Sequence, residues 1–250
     1  MATVCVFEIL SNSNETAKLT SKKEICLLSV AKKQLELKDL GIGAPEPSQP
    51  TTTLKLKEEK DSLFYFEAKQ EGETSFEPIK VYKWDLFENP DNSAGNPSIV
   101  TTHGYQLIYK FEIVVDCGQN LLYIFSDKGQ AELLVHRLKN NGFLEVRNCR
   151  LNLSKVSNIP NIVDEWGMWL DSRGQILKKA YFGTNLHKVK EGRGEQITSY
   201  DVSYRIKDVD GKETDISLII SHYGRISSNS NSAKNDVLLK IFRSIKSATD

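Results

Sequence analysis

Residues 105–153 restrict the fold more than any other stretch of the sequence. From 105 to 115 every odd position is bulky and apolar or aromatic, and most of the residues between them are polar. This period of two predicts a strand with one buried face. Gly118 and Asn120 then provide a turn, because glycine tolerates positive φ and asparagine hydrogen-bonds its own backbone. The next five residues, 121–125, are apolar or aromatic and have the length of a buried strand.

A helix is predicted directly after residue 125. Ser126 or Asp127 can cap its N-terminus, and Gly142 can close its C-terminus in the left-handed conformation. The apolar residues on one face of this helix are Ala131, Leu134, Val135 and Leu138. A returning strand is predicted over 143–153. The order strand, turn, strand, helix, strand predicts the centre of an α+β domain.

Strand signals return in the last third of the chain. Residues 166–182 predict a hairpin with its turn at 171–174. Residues 197–207 alternate between apolar and polar side chains. The dipeptide Asp-Gly at 210–211 is a strong hairpin signal, and a partner strand is predicted over 213–223.

A polar linker at 227–232 leads to a final helix. The apolar residues at helical spacing in this helix are Val237, Leu238, Ile241, Phe242 and Ile245.

We therefore expect an α+β fold with mixed or antiparallel sheets, few packed helices, and a C-terminal antiparallel sheet with a terminal helix. An N-terminal domain over 1–154, with flexible loops near 41–53 and 88–98, and a C-terminal domain over 155–250 are predicted. The alternative is one continuous domain.

The N-terminal part of the sequence is less regular. Residues 3–10 predict a strand that is apolar on both faces. Residues 22–40 fit a helix, which is our preferred interpretation, although the apolar run at 25–30 also fits a buried strand. Residues 54–69 predict a hairpin that turns at 58–61.

The charge balance gives no sign of a polyanionic partner for the molecule as a whole. The chain has 33 basic and 33 acidic residues, so its net field is weak.

The four cysteines of the chain lack the short paired spacing of a zinc site. The sequence has no signal-peptide pattern and no stretch of ~20 apolar residues that could span a membrane. We expect a cytoplasmic protein without membrane association, bound metal or cofactor.

Few residues suggest catalysis. The four histidines, which are far apart in the sequence, are His103, His136, His187 and His222. No nucleophile elbow or phosphate loop occurs. The triplet at 67–69, Glu67-Ala68-Lys69, resembles half of the motif of metal-dependent restriction-type nucleases, in which carboxylates bind Mg²⁺ and a lysine assists the attacking water. The matching upstream aspartate is missing, since Asp61 lies across an apparent turn.

A basic stretch supports a binding hypothesis. Residues 147–193 contain nine basic and four acidic side chains. The candidate nucleic-acid-binding residues are Arg173, Lys178, Lys179, Lys188, Lys190 and Arg193. Basic side chains bind phosphates, and unpaired bases stack on aromatic rings such as those of Trp166, Trp169 and Tyr181. Core packing is the more common role for the two tryptophans.

The loop-rich α+β plan, without an active-site signature, resembles accessory proteins of prokaryotic mobile-element or phage-defence loci. The leading hypothesis is a non-enzymatic cytoplasmic protein that binds nucleic acid, DNA or RNA, through residues 147–193. One alternative is a metal-dependent nuclease that uses Glu67 and Lys69. Another is a protein-interaction subunit, which docks an edge strand or the C-terminal helix onto a partner chain or a second copy of itself.

Overall fold

The computed structural model describes residues 2–10, 13–28, 51–71, 108–172, 178–189, 195–207, 211–230 and 233–249. Twelve strands in these residues form one sheet. They are β1 (Ala2–Ile9), β2 (Glu24–Leu28), β3 (Thr51–Lys60), β4 (Leu63–Glu71), β5 (Ile108–Asp116), β6 (Leu121–Phe125), β7 (Val146–Asn148), β8 (Ile162–Ser172), β9 (Lys178–Phe182), β10 (Glu195–Lys207), β11 (Glu213–Ser221) and β12 (Arg225–Ser228). The helices are α1 (Ser13–Thr20), α2 (Lys128–Asn140) and α3 (Asn235–Thr249), with 3₁₀ helices at Leu153–Asn158 and Leu186–Lys188.

The first strand of the chain lies in the middle of the sheet. The order across the sheet is β2-β3-β4-β5-β6-β1-β12-β11-β10-β8-β9, with β7 beside β1. β1 pairs with β6 through residues 5–8, and with β12 and β7 through residues 2–5 and 7–9. Every described strand pair is antiparallel. The fold is therefore a sheet-rich antiparallel architecture with few helices.

β1 also separates two hydrophobic cores, because successive side chains of a strand point to opposite faces. Val4 and Val6 belong to the core that contains the apolar face of α3. Cys5, Phe7 and Ile9 belong to the core that contains residues of α1 and α2. The second core takes its other strand residues from β2 to β6, whereas the first takes most of its strand residues from β8 to β12. Helices thus cover opposite faces of the sheet in its two halves.

A buried ion pair joins α3 to the N-terminal half of the sheet. The side chain of Asp116, at the end of β5, is 2 % exposed, and its Oδ2 lies 2.5 Å from Nη2 of Arg243 on α3. The other carboxylate oxygen accepts a hydrogen bond of 3.0 Å from the backbone N–H of Gln119. Beside this pair, the rings of Tyr123 and Phe242 meet edge to face with centroids 5.7 Å apart. Burial raises the pKa of Tyr123 to about 12.

The predicted ends of the central helix are confirmed. The side chain of Asp127 accepts a hydrogen bond of 3.0 Å from the N–H of Gln130 at the start of α2. Gly142 has a φ of 68°, as expected for the residue that follows a helix. The returning strand is shorter than predicted, because β7 has three residues and a 3₁₀ helix starts at Leu153. Residues 105–107 lie outside the described residues.

Three other local predictions are wrong, and the turn of the hairpin predicted over 54–69 lies later than predicted. From the sequence, a helix is the preferred interpretation of residues 22–40, but residues 24–28 form the strand β2. Residues 29–40 lie outside the described residues. Residues 51–53 of the predicted loop begin β3, and the hairpin that follows turns at 61–62, where both residues have positive φ. Ser227 and Ser228 of the predicted linker are buried in β12. For residues 24–28, 51–53 and 227–228, pairing with another strand overrides a weak local preference.

The division at residue 154 stays a prediction. In the structure β1, from the predicted N-terminal domain, pairs with β12, from the predicted C-terminal domain. The remaining loop residues, at 41–50 and 88–98, lie outside the described residues.

The turn between β11 and β12 places its glycine against the central strand. Gly224 has a φ of 69°, and a Cβ atom there would lie 2.6 Å from the backbone oxygen of Cys149 and 2.9 Å from that of Val6. Its own carbonyl accepts a hydrogen bond of 2.9 Å from the N–H of Val6. Only a residue without a side chain fits this contact between the two halves of the sheet.

We expect Gly224→Ala to lower the free energy of unfolding by about 3 kcal/mol, since the left-handed backbone and the steric overlap both cost free energy. Gly142→Ala is the matched control, because Gly142 has a φ of 68° but no atom within 4 Å of its Cβ position. That control should lose about 1 kcal/mol. Urea unfolding of both variants measures the difference, and equal losses would contradict the steric explanation.

Candidate binding surface at the sheet edge

The hairpin of β8 and β9 forms one edge of the sheet, with β9 outermost. Met168 and Leu170 of β8 are buried in the core that contains α3. Trp169, between them, therefore points to the opposite face. The core formed with α1 and α2 on that opposite face contains no described residue of β8 to β12. In the described part of the chain, no helix covers this part of the sheet.

Four aromatic side chains of the hairpin are exposed. The exposed fractions are 40 % for Trp166, 38 % for Trp169, 37 % for Tyr181 and 66 % for Phe182. The rings of Trp169 and Phe182 meet edge to face, with centroids 5.8 Å apart. Burying a ring such as that of Phe182 would stabilise by about 1.5–3 kcal/mol, so a cluster of exposed rings indicates an interaction surface. We call these four residues the aromatic edge.

A buried carboxylate lies beside the aromatic edge. Asp201 of β10 is 5 % exposed and is paired with Gly167 of β8. The indole N–H of Trp169 donates a hydrogen bond of 3.4 Å to Oδ2 of Asp201. The Oδ1 atom is buried and has no hydrogen-bond partner in the described part of the chain. Burial raises the pKa of Asp201 above its usual value, and the bond from Trp169 opposes this increase.

Gly167 provides the space that this carboxylate occupies. Strand pairing places Asp201, Gly167 and Phe182 in one row across β10, β8 and β9. A Cβ atom at Gly167 would lie 2.7 Å from Oδ2 of Asp201. The absence of a side chain in the middle of the row thus lets the carboxylate lie over β8, next to the aromatic edge.

A second carboxylate positions the segment after β9. The side chain of Glu165 on β8 is 6 % exposed, and its Oε1 lies 3.0 Å from Nδ1 of His187. Its Oε2 accepts a hydrogen bond of 2.8 Å from the backbone N–H of His187. These two contacts hold the 3₁₀ helix Leu186–Lys188 against β8. His187 has a structural role here.

The structure describes part of the predicted nucleic-acid-binding set. Lys178 and Lys179 lie in β9, and Lys179 is exposed. Lys188 is exposed in the 3₁₀ helix that Glu165 holds. Three predicted residues lie outside the described residues: Arg173, Lys190 and Arg193. Lys179 and Lys188 are thus exposed, one in the hairpin and one in the segment after it. Trp166 and Trp169, for which core packing is the more common role, are exposed as well.

The nuclease candidates lie elsewhere, on the exposed side of β4. Oε2 of Glu67 is 2.7 Å from Nζ of Lys57, and this contact holds the pKa of Glu67 below its usual value. Lys69 is two residues further along the same face. Strand pairing places Glu112 of β5 opposite Glu67, and Asn235 of α3 donates a hydrogen bond of 3.3 Å to Glu112. Glu67 and Glu112 both line an open cleft of about 880 Å³ beside α3.

Other chemical sites are not seen in the described residues. No group of three or more His, Cys, Asp or Glu side chains there could hold a metal ion. None of the described helices has the length and apolar character required to cross a membrane.

The chain matches no protein-family model and no curated protein. Functional inference therefore depends on the geometry of the described residues.

Sequence reasoning missed Asp201, Gly167 and Phe182. The alternation in 197–207 assigns Asp201 to a polar face, which is correct, but does not indicate that it is buried. Gly167 is the residue in the sequence that could have indicated this site, because a glycine inside a strand pattern often marks a close approach of another group. Its partner could not be identified without the pairing of β8 and β10.

We expect Asp201→Asn to be more stable than the wild type at neutral pH. Burial raises the pKa of Asp201 in the folded state, so folding takes up a proton, and the wild type loses stability as pH rises through that pKa. The asparagine has no such titration. The gain in unfolding free energy should therefore be larger at about pH 7 than at about pH 3.

Urea unfolding at the two pH values measures this gain. Asp164→Asn, at an exposed position of β8, controls for the loss of one negative charge. A gain that is larger at acid pH would contradict the assignment of Asp201 as a destabilising buried carboxylate.

Proposed function

We propose that this chain is a non-enzymatic nucleic-acid-binding protein that holds single strands on the aromatic edge. A cytoplasmic accessory role in a mobile-element or phage-defence locus is part of this proposal. The observation that supports it best is the exposure of four aromatic side chains on one edge hairpin, together with exposed Lys179 in β9 and exposed Lys188 in the segment that follows it.

The rings offer stacking positions on both faces of the hairpin. Trp169 and Phe182 lie on the face without a helix. Tyr181 pairs with Met168, which points into the core, so Tyr181 lies on the other face at the margin of the sheet. Stacking of a base on such a ring contributes about 1–3 kcal/mol and tolerates every base.

The lysines offer phosphate contacts. Lys179 lies in β9 on the same face as Tyr181, because it pairs with Leu170. Lys188 lies in the 3₁₀ helix fastened to Glu165. Each phosphate that a lysine neutralises in a single strand makes the slope of log affinity against log salt more negative by about 0.7. The proposal therefore requires binding that weakens as salt increases.

We expect the wild type to bind labelled single-stranded oligonucleotides more tightly than the matching duplex, measured by fluorescence anisotropy across a salt series. Phe182→Ala and Trp169→Ala should each weaken binding about tenfold, as one stacking contact is lost. Leu10→Ala removes an exposed apolar side chain that directly follows β1, away from the hairpin, and should leave the affinity unchanged.

Absence of binding at low salt, or equal loss in Leu10→Ala and Phe182→Ala, would contradict the proposal. Co-purification of a protein partner without nucleic-acid affinity would instead favour the interaction-subunit hypothesis. The free edge of β9 suits that alternative, because an extended partner segment can add to an exposed strand.

A metal-dependent nuclease is a second candidate, favoured by the position of Glu112 opposite Glu67. This carboxylate supplies the second acid that the sequence motif lacked. Glu67 and Glu112 would hold Mg²⁺, and Lys69 would assist the attacking water. Lys57 would have to release Glu67 for the cation to bind.

If the nuclease candidate is correct, the wild type cleaves labelled DNA in the presence of Mg²⁺, and Glu67→Gln and Glu112→Gln each abolish cleavage, because Mg²⁺ loses a carboxylate ligand. Gel electrophoresis of the products measures this. Glu145→Gln, which removes an exposed carboxylate near α2, should cleave normally. Full activity of Glu67→Gln, or no cleavage by the wild type, would exclude this candidate.

A further inference from the structure

Among the described residues, Asp201 is a buried side chain near the aromatic edge with an oxygen atom that has no hydrogen-bond partner. Its Oδ2 is engaged by the indole N–H of Trp169, but its Oδ1 has no partner among the described residues. The residue is 5 % exposed, so solvent does not satisfy the free acceptor. Buried acceptors without partners are uncommon in folded proteins, and each requires a physical explanation.

The surroundings of this acceptor suit a flat ligand that carries an N–H donor. The exposed rings of Trp169 and Phe182 lie on the same face as the carboxylate. Gly167, between Asp201 and Phe182, adds no side chain that would block access from the β9 side. A ring stacked on Phe182 would lie in the same cross-strand row as Gly167 and Asp201.

We propose that Asp201 accepts a hydrogen bond from the exocyclic amino group of a base stacked on the aromatic edge, so that this surface prefers cytosine to thymine. The proposal rests on the nucleic-acid-binding function proposed above and adds a base preference to it. Cytosine presents an N4 amino donor where thymine presents an O4 acceptor. A carboxylate oxygen attracts the first and repels the second.

Trp169 has two roles in this arrangement. Its ring provides stacking surface, and its N–H donates to Oδ2 of the carboxylate, while Oδ1 has no partner among the described residues. A lysine or arginine side chain of a partner protein would also satisfy Oδ1. The exposed rings of Trp169 and Phe182 on the same face favour a base, because they supply stacking surface for it.

The test compares labelled oligo(dC) and oligo(dT) of equal length by fluorescence anisotropy at slightly alkaline pH. Both are pyrimidine single strands with the same backbone charge. We expect the wild type to bind oligo(dC) about tenfold more tightly than oligo(dT). Asp201→Asn should reduce this ratio to about one, because its amide can also donate to O4 of thymine. Asp164→Asn should keep the wild-type ratio.

Thermal unfolding verifies that each variant is folded, and Asp201→Ser serves as a second variant that removes the carboxylate. Equal affinity of the wild type for the two oligonucleotides, or a preference that survives in both Asp201 variants, would overturn the base-reading role while leaving the binding function intact. Failure of the wild type to bind either oligonucleotide would overturn both. Binding of a labelled lysine-rich peptide that depends on Asp201, without oligonucleotide binding, would assign the carboxylate to a protein partner instead.

Discussion

The structure depends on the position of β1 between two halves of the sheet. Hydrogen bonds run from this strand to β6 on one edge and to β7 and β12 on the other. Its side chains are divided between two cores, with Val4 and Val6 on one face and Phe7 and Ile9 on the other. If the register of β1 shifted by one residue, each of its side chains would point to the opposite core, because strand side chains alternate between the two faces.

Two further contacts connect the halves. The turn at Gly224 packs against Val6 and Cys149. The ion pair of Asp116 with Arg243 connects the end of β5 to α3. Asp116 is almost fully buried, whereas the side chain of Arg243 is about one third exposed. Loss of the arginine would leave a buried carboxylate without its cation, which is more costly than loss of both partners. These contacts explain how a sheet built from both ends of the chain holds together.

The two halves of the sheet have helices on opposite faces, and this arrangement determines which aromatic side chains are exposed. The N-terminal half is covered on one face by α1 and α2, and the C-terminal half on the other by α3. The face of β8 and β9 opposite α3 is left without a helix in the described residues, and Trp169 and Phe182 are exposed there. Asp201 lies on the same face, where it is buried and accepts a hydrogen bond from the indole N–H of Trp169. The aromatic edge is thus a product of the sheet architecture as well as of its residues.

The other candidate site illustrates the same dependence on strand pairing. Glu67 and Lys69 share one face of a strand, as the E-x-K triplet requires. The second carboxylate, Glu112, is 45 positions away in the sequence and reaches Glu67 only because β4 and β5 are neighbours. The sequence motif offered no means of finding it.

The sequence by itself determined the local elements: the capped helix α2, the alternating strands β10 and β11, and the apolar face of α3. These depend on residues close together in the chain, whose periodicity and capping chemistry can be read directly. Tertiary structure decided the insertion of β1 between β6 and β12, the strand β2 in place of a helix, and the burial of Asp201 beside exposed tryptophans. Each of these depends on which distant strands pair and which faces are covered, and local spacing carries no information about either.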